Sequence, residues 1–213
     1  MADIILAGST SGAITISAPA ISGTNTLTLP AVTDTLVGLA ATQTLTNKSI
    51  AATQLTGTVA AARLPAGSVV QVVNYQTGAM ATGATTIPND DTIPQITEGN
   101  QYMSLAITPT SATNLLVIDV VVNASNSSAS DVIVAVFRDA TANAIAVGAA
   151  YNGAGTGRNN IKVRYQETAG STSATTLYVR AGGTGTTTFN GSSGTRTFGG
   201  TYASSITIQE ITV

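Results

Sequence analysis

Few side chains in this sequence could do chemistry, and their types already exclude several mechanisms. The 213 residues contain 8 Lys plus Arg and 10 Asp plus Glu, with no His and no Cys. Without those two residue types the chain holds neither a Cys nucleophile nor a triad that uses His as its base. Zinc sites with Cys and His ligands are excluded for the same reason. We therefore predict no catalytic residue, no cofactor and no metal site.

The only adjacent pair of carboxylates is formed by Asp90 and Asp91. Adjacent residues on a strand point to opposite faces, so the two cannot act together as a glycosidase pair. The surrounding segment, Ile87-Pro88-Asn89-Asp90-Asp91, favours a turn. A calcium site is the alternative, because oxygen-rich loops bind that ion. The Asp-x-Asp spacing and the downstream Glu of such a site are missing.

Two glycine-rich stretches, residues 153–157 and 182–185, are the next candidates for a binding site. The first contains a G-x-G pattern, as dinucleotide-binding loops do. That fingerprint needs a strand before it and a helix after it, whereas Arg158 and a second strand pattern follow here. We interpret both stretches as hairpin loops.

The two long loops that contain these glycines, residues 151–160 and 182–200, are the best candidates for recognition. Their arginines could bind carboxylates through a two-pronged fork, and their aromatic rings could stack on sugars. The predicted receptor-binding residues are Tyr151, Asn152, Arg158, Asn159, Phe189, Asn190 and Arg196. The basic residues of this part of the chain have a second interpretation, as a solvated sheet face or as intersubunit pairs: Arg158, Lys162, Arg164, Arg180 and Arg196.

The elements that would position these loops are strands. Short β-branched or alternating segments, separated by turn residues and without a long amphipathic helix, indicate a β-sandwich. The number and size of the segments suit a jelly roll. The eight predicted strands cover residues 68–75, 101–108, 114–124, 131–138, 143–150, 161–168, 175–181 and 205–213.

The composition changes abruptly along the chain. All nine aromatic residues lie from Tyr75 onward, and residues 1–68 hold only four charged side chains. About 70 residues without an aromatic ring can hardly close a core alone. We therefore predict an extended attachment and shaft region at residues 1–67 and a β-sandwich domain at residues 68–213.

The N-terminal region alternates very short strand patterns with turns. Strands are predicted at residues 13–17, 26–29 and 35–38, and one or two helical turns at residues 59–64 before Pro65. Strands this short are not stable as isolated hairpins. We expect them to pair with the same segments of neighbouring subunits.

The charge balance and apolar runs limit the partners. A formal net charge of −2 without a basic run argues against a dedicated nucleic-acid-binding protein. The longest strongly apolar run, residues 115–122, contains Asp119 and is too short to span a bilayer. The N-terminus lacks the basic and apolar stretches of a signal peptide. We expect no membrane insertion, and synthesis in the cytoplasm.

Several segments, taken in order, resemble the tail fibres of tailed bacteriophages. They are GAITI at 12–16, GTNTLTLP at 23–30, LTNKSI at 45–50, LTGTV at 55–59 and ARLP at 62–65. The later segments PAGSVVQVV at 65–73 and ITPTSATN at 107–114 are similar to the start of a C-terminal domain of such fibres. The resemblance covers most of residues 8–120.

This resemblance implies a homotrimeric structural protein of the virion. Its N-terminal region would attach to other virion proteins, of the tail, the baseplate or the capsid, and its C-terminal domain would bind a host-surface receptor, most simply a glycan. A capsid decoration or head-fibre protein is the alternative, and the short shaft favours it. A depolymerising tailspike enzyme is disfavoured, because the chain is too short for a long β-helix and acid/base pairs are scarce.

Overall fold

The computed structural model describes residues 4–7, 11, 13–16, 24, 49, 57, 59–153 and 156–213. The chain divides into two compact units, Met1–Thr56 and Gly57–Val213. In the first unit, strand β1 (Ile4–Ala7) pairs antiparallel with strand β2 (Ala13–Ile16). The strand predicted at residues 13–17 is therefore confirmed, and the strands predicted at 26–29 and 35–38 lie outside the described residues.

The second unit is built from antiparallel strands. The described residues contain no α-helix, only two single 3-10 turns, at Ala61–Arg63 and Phe198–Gly200. The first turn confirms the helical turn predicted before Pro65. The strands are β3 (Val69–Thr77), β4 (Ala81–Gly83), β5 (Asn100–Ile107), β6 (Leu115–Asn126), β7 (Ser130–Arg138), β8 (Ala146–Asn152), β9 (Asn159–Thr168), β10 (Thr175–Gly182), β11 (Thr187–Phe189), β12 (Gly191–Ser192), β13 (Thr195–Arg196) and β14 (Ser204–Ile211).

All eight strands predicted for this unit are present, with ends that differ by three residues or fewer. The turn between the strands predicted at 114–124 and 131–138 is shorter than the gap between them. Strand β6 continues to Asn126, and Ser125 and Asn126 are buried. The polar side chains of this stretch therefore belong to the strand, and only residues 127–129 turn.

Two large sheets hold most strands of this unit, and the short strands β12 and β13 pair only with each other. One has the order β5-β10-β7-β8, and the other has the order β3-β14-β6-β11-β4 with β9 added on the far side of β6. Val117 pairs with Gln209 on β14 and with Gln166 on β9, which places these two strands on opposite sides of β6. The longest strand is thus hydrogen-bonded along both edges.

The facing sides of the two sheets form one apolar core. Alternate residues of β6, among them Ile118 and Val120, pack with alternate residues of β7 and β10, among them Val134 and Val179. The period of two in a strand sends these side chains inward and their neighbours outward. On β9 the predicted alternation is confirmed: Ile161 and Val163 are buried, and Lys162 and Arg164 are exposed.

The four-stranded sheet is covered on its outer side as well. Phe137 and Ile133 of β7 pack there against Ile87, which belongs to the long connection between β4 and β5. Arg180 fastens this connection, because its guanidinium donates to the backbone oxygens of Glu98 (2.8 Å) and Gly99 (2.7 Å). This explains why β7 is a nearly continuous apolar run rather than an alternating one.

Both glycine-rich stretches join the two sheets to each other. Residues 153–158 lead from β8 to β9, and residues 183–186 lead from β10 to β11; in each case the strands belong to different sheets. The prediction of hairpin loops was therefore wrong. The sequence shows that the chain turns, but the partner of each following strand is set by long-range pairing.

The strands run between two ends of this unit. We call the end at which the chain enters β3 the proximal end and the opposite end the distal end. At the proximal end, Gly67 N–H donates to Thr212 O (2.8 Å), and the Thr212 hydroxyl donates to Pro65 O (2.7 Å). These bonds tie Pro65 and Gly67 to the residue that follows the last strand. The distal end carries the starts of β9 and β14 and the loops before them.

Candidate functional site

Three of the seven predicted receptor-binding residues are buried. Phe189 is 2% exposed and stacks on Tyr102, with ring centroids 4.7 Å apart and planes 10° apart. Asn152 is 1% exposed, and its amide donates to Asn126 O (2.6 Å). Neither side chain reaches the surface, so the prediction that they contact a receptor is corrected.

Asn190 is the third buried residue, and its contacts explain its burial. Its amide donates to Thr77 O (2.7 Å) and Ala79 O (3.0 Å), and its side-chain oxygen accepts a bond from the Ser204 hydroxyl (2.6 Å). The backbone is in the left-handed region, φ 53°, which Asn tolerates better than most residues. Asn190 thus ties β3, β11 and β14 together at the distal end, and the prediction that it binds a receptor is corrected.

The other four predicted residues are at least partly accessible, but they do not form one cluster. Tyr151 is 66% exposed on β8, where it pairs with Asp131 of β7. Arg158, Asn159 and Arg196 lie in or beside the distal loops. Among the described residues, no hydrogen bond, ring stacking or cation–π contact joins Tyr151 to those three.

Arg158 instead adjoins two aromatic residues that were not singled out from the sequence, Phe198 and Tyr202, and Arg196 lies beside Gly200 of the turn that carries Phe198. The Arg158 guanidinium carbon lies 5.2 Å from the centre of the Phe198 ring. The rings of Phe198 and Tyr202 meet edge to face, with centroids 6.2 Å apart and planes at 79°. We refer to Arg158, Arg196, Phe198 and Tyr202 as the aromatic–arginine cluster.

The turn that carries Phe198 has an unusual backbone. Phe198, Gly199 and Gly200 all have positive φ, at 50°, 63° and 95°. A phenylalanine in the left-handed region is strained by about 1 kcal/mol or more. The turn packs against Gly78, where an added Cβ would overlap Gly200 O, and Gly200 itself faces the Arg196 side chain. This close packing holds Phe198 outward, 66% exposed.

Hydrogen bonds to the sheet fix both loops of the cluster. The Tyr202 hydroxyl donates to Asn159 O (3.2 Å), and the Ser192 hydroxyl donates to Thr156 O (2.8 Å). The amide of Asn123 on β6 donates to Ala203 O (2.7 Å), which ties the residue after Tyr202 to that strand. The cluster is therefore held by a rigid strand end rather than by loops alone.

The charges of the cluster are not neutralised within the described part of the chain. There, the ion pairs within 4 Å are Arg138–Glu167, Arg138–Asp139 and Arg164–Asp119. Partial burial raises the pKa of Tyr202, and the nearby charge of Arg158 opposes that rise only in part. The Tyr202 hydroxyl is consequently a neutral hydrogen-bond donor at pH 7, and the cluster is cationic.

The Asp90–Asp91 segment forms a turn, as predicted. The Asp90 carboxylate accepts bonds from the backbone N–H (2.9 Å) and from the hydroxyl of Thr92, and these bonds lower its pKa. Over the described residues, no three Asp or Glu side chains come together as metal ligands.

Comparison with protein-family models and with curated proteins finds no match for this chain. No helix in the residues that the structure covers is long and apolar enough to cross a membrane.

Proposed function

We propose that the chain is a structural protein of a virion, a short tail fibre of a tailed bacteriophage. Its N-terminal region, residues 1–67, attaches it to other virion proteins, and its C-terminal domain, a jelly-roll-like β-sandwich, binds a host-surface receptor. The receptor is a glycan, and the protein acts without catalysis. The resemblance of residues 8–120 to such fibres is the starting point of this proposal.

The polarity of the C-terminal unit is the observation that carries the proposal. The chain that arrives from the N-terminal region is fastened at the proximal end, by Pro65 and Gly67 against Thr212. The aromatic–arginine cluster lies at the distal end. The eight residues of β14 separate the two ends by about 25 Å, at the usual rise of a strand. Attachment at one end and exposed recognition groups at the other is the arrangement that a fibre tip needs.

A homotrimer is part of the proposal. Strand β3 pairs with β14 alone among the described strands, and it exposes Val69, Val72 and Tyr75. A nine-residue edge strand without a charge or a proline invites pairing with another chain. Contact between copies along β3 would cover this edge, and β1 and β2, which pair with each other, form a hairpin that is too short to be stable alone.

A capsid decoration or head-fibre protein is the second candidate. Even fully extended, about 60 residues span only about 200 Å, so the shaft is short for a tail fibre. The polarity of the C-terminal unit serves this function equally well.

Labelling of the purified virion separates the two candidates. We expect antibody-gold against the C-terminal unit to mark the tail and quantitative mass spectrometry to give tens of copies. Hundreds of copies over the head would refute the tail fibre and support the capsid decoration protein, and absence from the particle would refute both.

Sedimentation equilibrium of the full chain tests the trimer. It should give about 64 kDa, three times the 21.2 kDa of one chain; a mass of one chain would refute the trimer.

A further inference from the structure

We propose that the aromatic–arginine cluster binds saccharides that carry a carboxylate, such as hexuronic or sialic acids. This inference rests on the receptor-binding part of the proposed function, and it adds the chemical class of the ligand and the residues that select it.

Phe198 supplies the apolar part of the site. A large aromatic ring that stays 66% exposed loses the free energy that burial would give it. The strained backbone of residues 198–200 and the packing of Gly200 on Gly78 keep the ring in this position. The C–H face of a sugar ring is flat and weakly apolar, and it would cover the exposed side of Phe198.

Arg158 supplies a carboxylate-binding group next to that ring. A guanidinium that lies over an aromatic ring is held by a cation–π contact, which leaves its N–H groups free to donate. Within the described residues no side-chain or backbone acceptor takes a hydrogen bond from Arg158, and no carboxylate lies within 4 Å of it. Its planar fork matches the two oxygens of a carboxylate.

Arg196, at the end of β13, adds a second positive charge beside this turn. Its guanidinium lies close to Gly200, since a Cβ built on that glycine would stand 3.5 Å from Arg196 Nη1. A second cation beside the turn that carries Phe198 adds to the attraction for an anion there. Two arginines and one exposed ring fit a single acidic sugar, whereas a nucleic acid needs a longer basic surface.

Matched pairs of acidic and neutral sugars test the inference directly on the purified full chain. The probes are oligogalacturonate with its methyl ester, and sialyllactose with lactose; binding is followed by saturation-transfer NMR and by biolayer interferometry. We expect at least one acidic probe to bind about tenfold more tightly than its neutral partner. That preference should shrink between about 0.05 M and about 0.5 M NaCl, because exposed charges are screened.

Substitutions identify the site. We expect R158Q, R196Q and F198A each to weaken binding of the acidic probe by about tenfold, and R158K to weaken it less, since the charge remains but the fork is lost. R164Q is the matched control. It removes the same charge from an exposed arginine of β9 that faces Asp119 (3.7 Å) outside the cluster, and it should leave binding unchanged.

Three results would overturn the inference: no binding of either acidic probe, equal binding of acidic and neutral forms, or equal losses in R158Q and R164Q. Each would leave the proposed function standing if the chain is found on the virion and adheres to host cells. Conversely, absence of the chain from the virion would refute the proposed function. The binding measurements on the purified chain would still show whether the cluster binds acidic sugars. Because Phe198 is exposed, unchanged thermal unfolding of F198A shows that a loss of binding is not a loss of folding.

Discussion

Glu210 offers the sharpest test of how the second unit is held together. It is fully buried near the end of β14, and one of its carboxylate oxygens, Oε1, accepts four hydrogen bonds. The donors are Thr110 N–H (2.7 Å), the Thr110 hydroxyl (2.8 Å), Ser111 N–H (3.2 Å) and the Asn114 amide (2.7 Å). The carboxylate thus fastens the connection between β5 and β6 to the last strand.

Replacing Glu210 by Ala removes these acceptors at once. Thr110 is exposed, so water can replace its bonds, but the Asn114 amide is 5% exposed and loses a charged acceptor. The Asn114 amide keeps only its longer bond to the Thr110 hydroxyl (3.3 Å). Loss of the charged acceptor of a buried N–H costs about 1–3 kcal/mol, and the other charge-assisted bonds raise the total to about 3 kcal/mol. For a domain of this size the midpoint of thermal unfolding should fall by about 9 °C.

The same carboxylate makes stability depend on pH. Burial alone would raise the pKa of Glu210, but the bonds from Asn114, Thr110 and Ser111 together outweigh it and hold the pKa below its usual value. A lowered pKa means that the folded state favours the ionised form, so the stabilisation is complete above the unfolded-state pKa of about 4.3. It is lost as the pH falls through the lower pKa of the folded state.

Urea unfolding of the wild type and of E210Q, followed by circular dichroism at several pH values, measures this contribution. We expect the difference in unfolding free energy to be largest at neutral pH and to shrink below about pH 4. D119N is the control, because Asp119 is partly exposed and pairs with Arg164 at 3.7 Å, and a surface pair contributes about 0.5 kcal/mol. A difference that stays constant from neutral to acid pH would refute the role assigned to the carboxylate.

Three further predictions concern packing and independence. F189A should lose about 4 kcal/mol of unfolding free energy because Phe189 is buried against Tyr102, whereas F198A should lose little; equal losses in denaturant titrations would contradict the burial of Phe189. G148A should lose about 2 kcal/mol, because the added Cβ would lie 2.9 Å from a buried methyl of Val163 where β8 meets β9; an unchanged unfolding midpoint would count against that contact. A fragment of residues 57–213 should fold and melt cooperatively without the N-terminal unit, and a broad, non-cooperative transition would rule this out.

The strands of the second unit were predictable because their patterns are local. The alternation of Ile161 and Val163 with Lys162 and Arg164 needs only the period of two, and the structure confirms it. The missed strands β4, β11, β12 and β13 are two or three residues long and rich in Gly, Ser and Thr. Segments this short have no period to read, and their pairing depends on neighbours that are distant in sequence.

The candidate site was harder to predict for a different reason. Asn152 and Asn190 are polar residues beside glycines, a context that favours exposed loops, yet their amides satisfy backbone oxygens inside the distal end. Phe189 and Phe198 lie in one predicted loop, yet the first is buried and the second is exposed. Phe189 stacks on Tyr102, whereas a left-handed turn holds Phe198 at the surface. Burial of this kind is decided by tertiary contacts.

The antiparallel pairing of β3 with β14 has a mechanical consequence. Val69 begins β3 at the proximal end, and Ser204 begins β14 at the distal end, so the two strands start at opposite ends of one ladder. A force that pulls the distal loops away from the N-terminal chain runs parallel to both strands. It loads their hydrogen bonds in shear, all together, because these bonds lie perpendicular to the strands. This pair of strands therefore resists tension along the strands better than a pull that peels the ladder open one bond at a time.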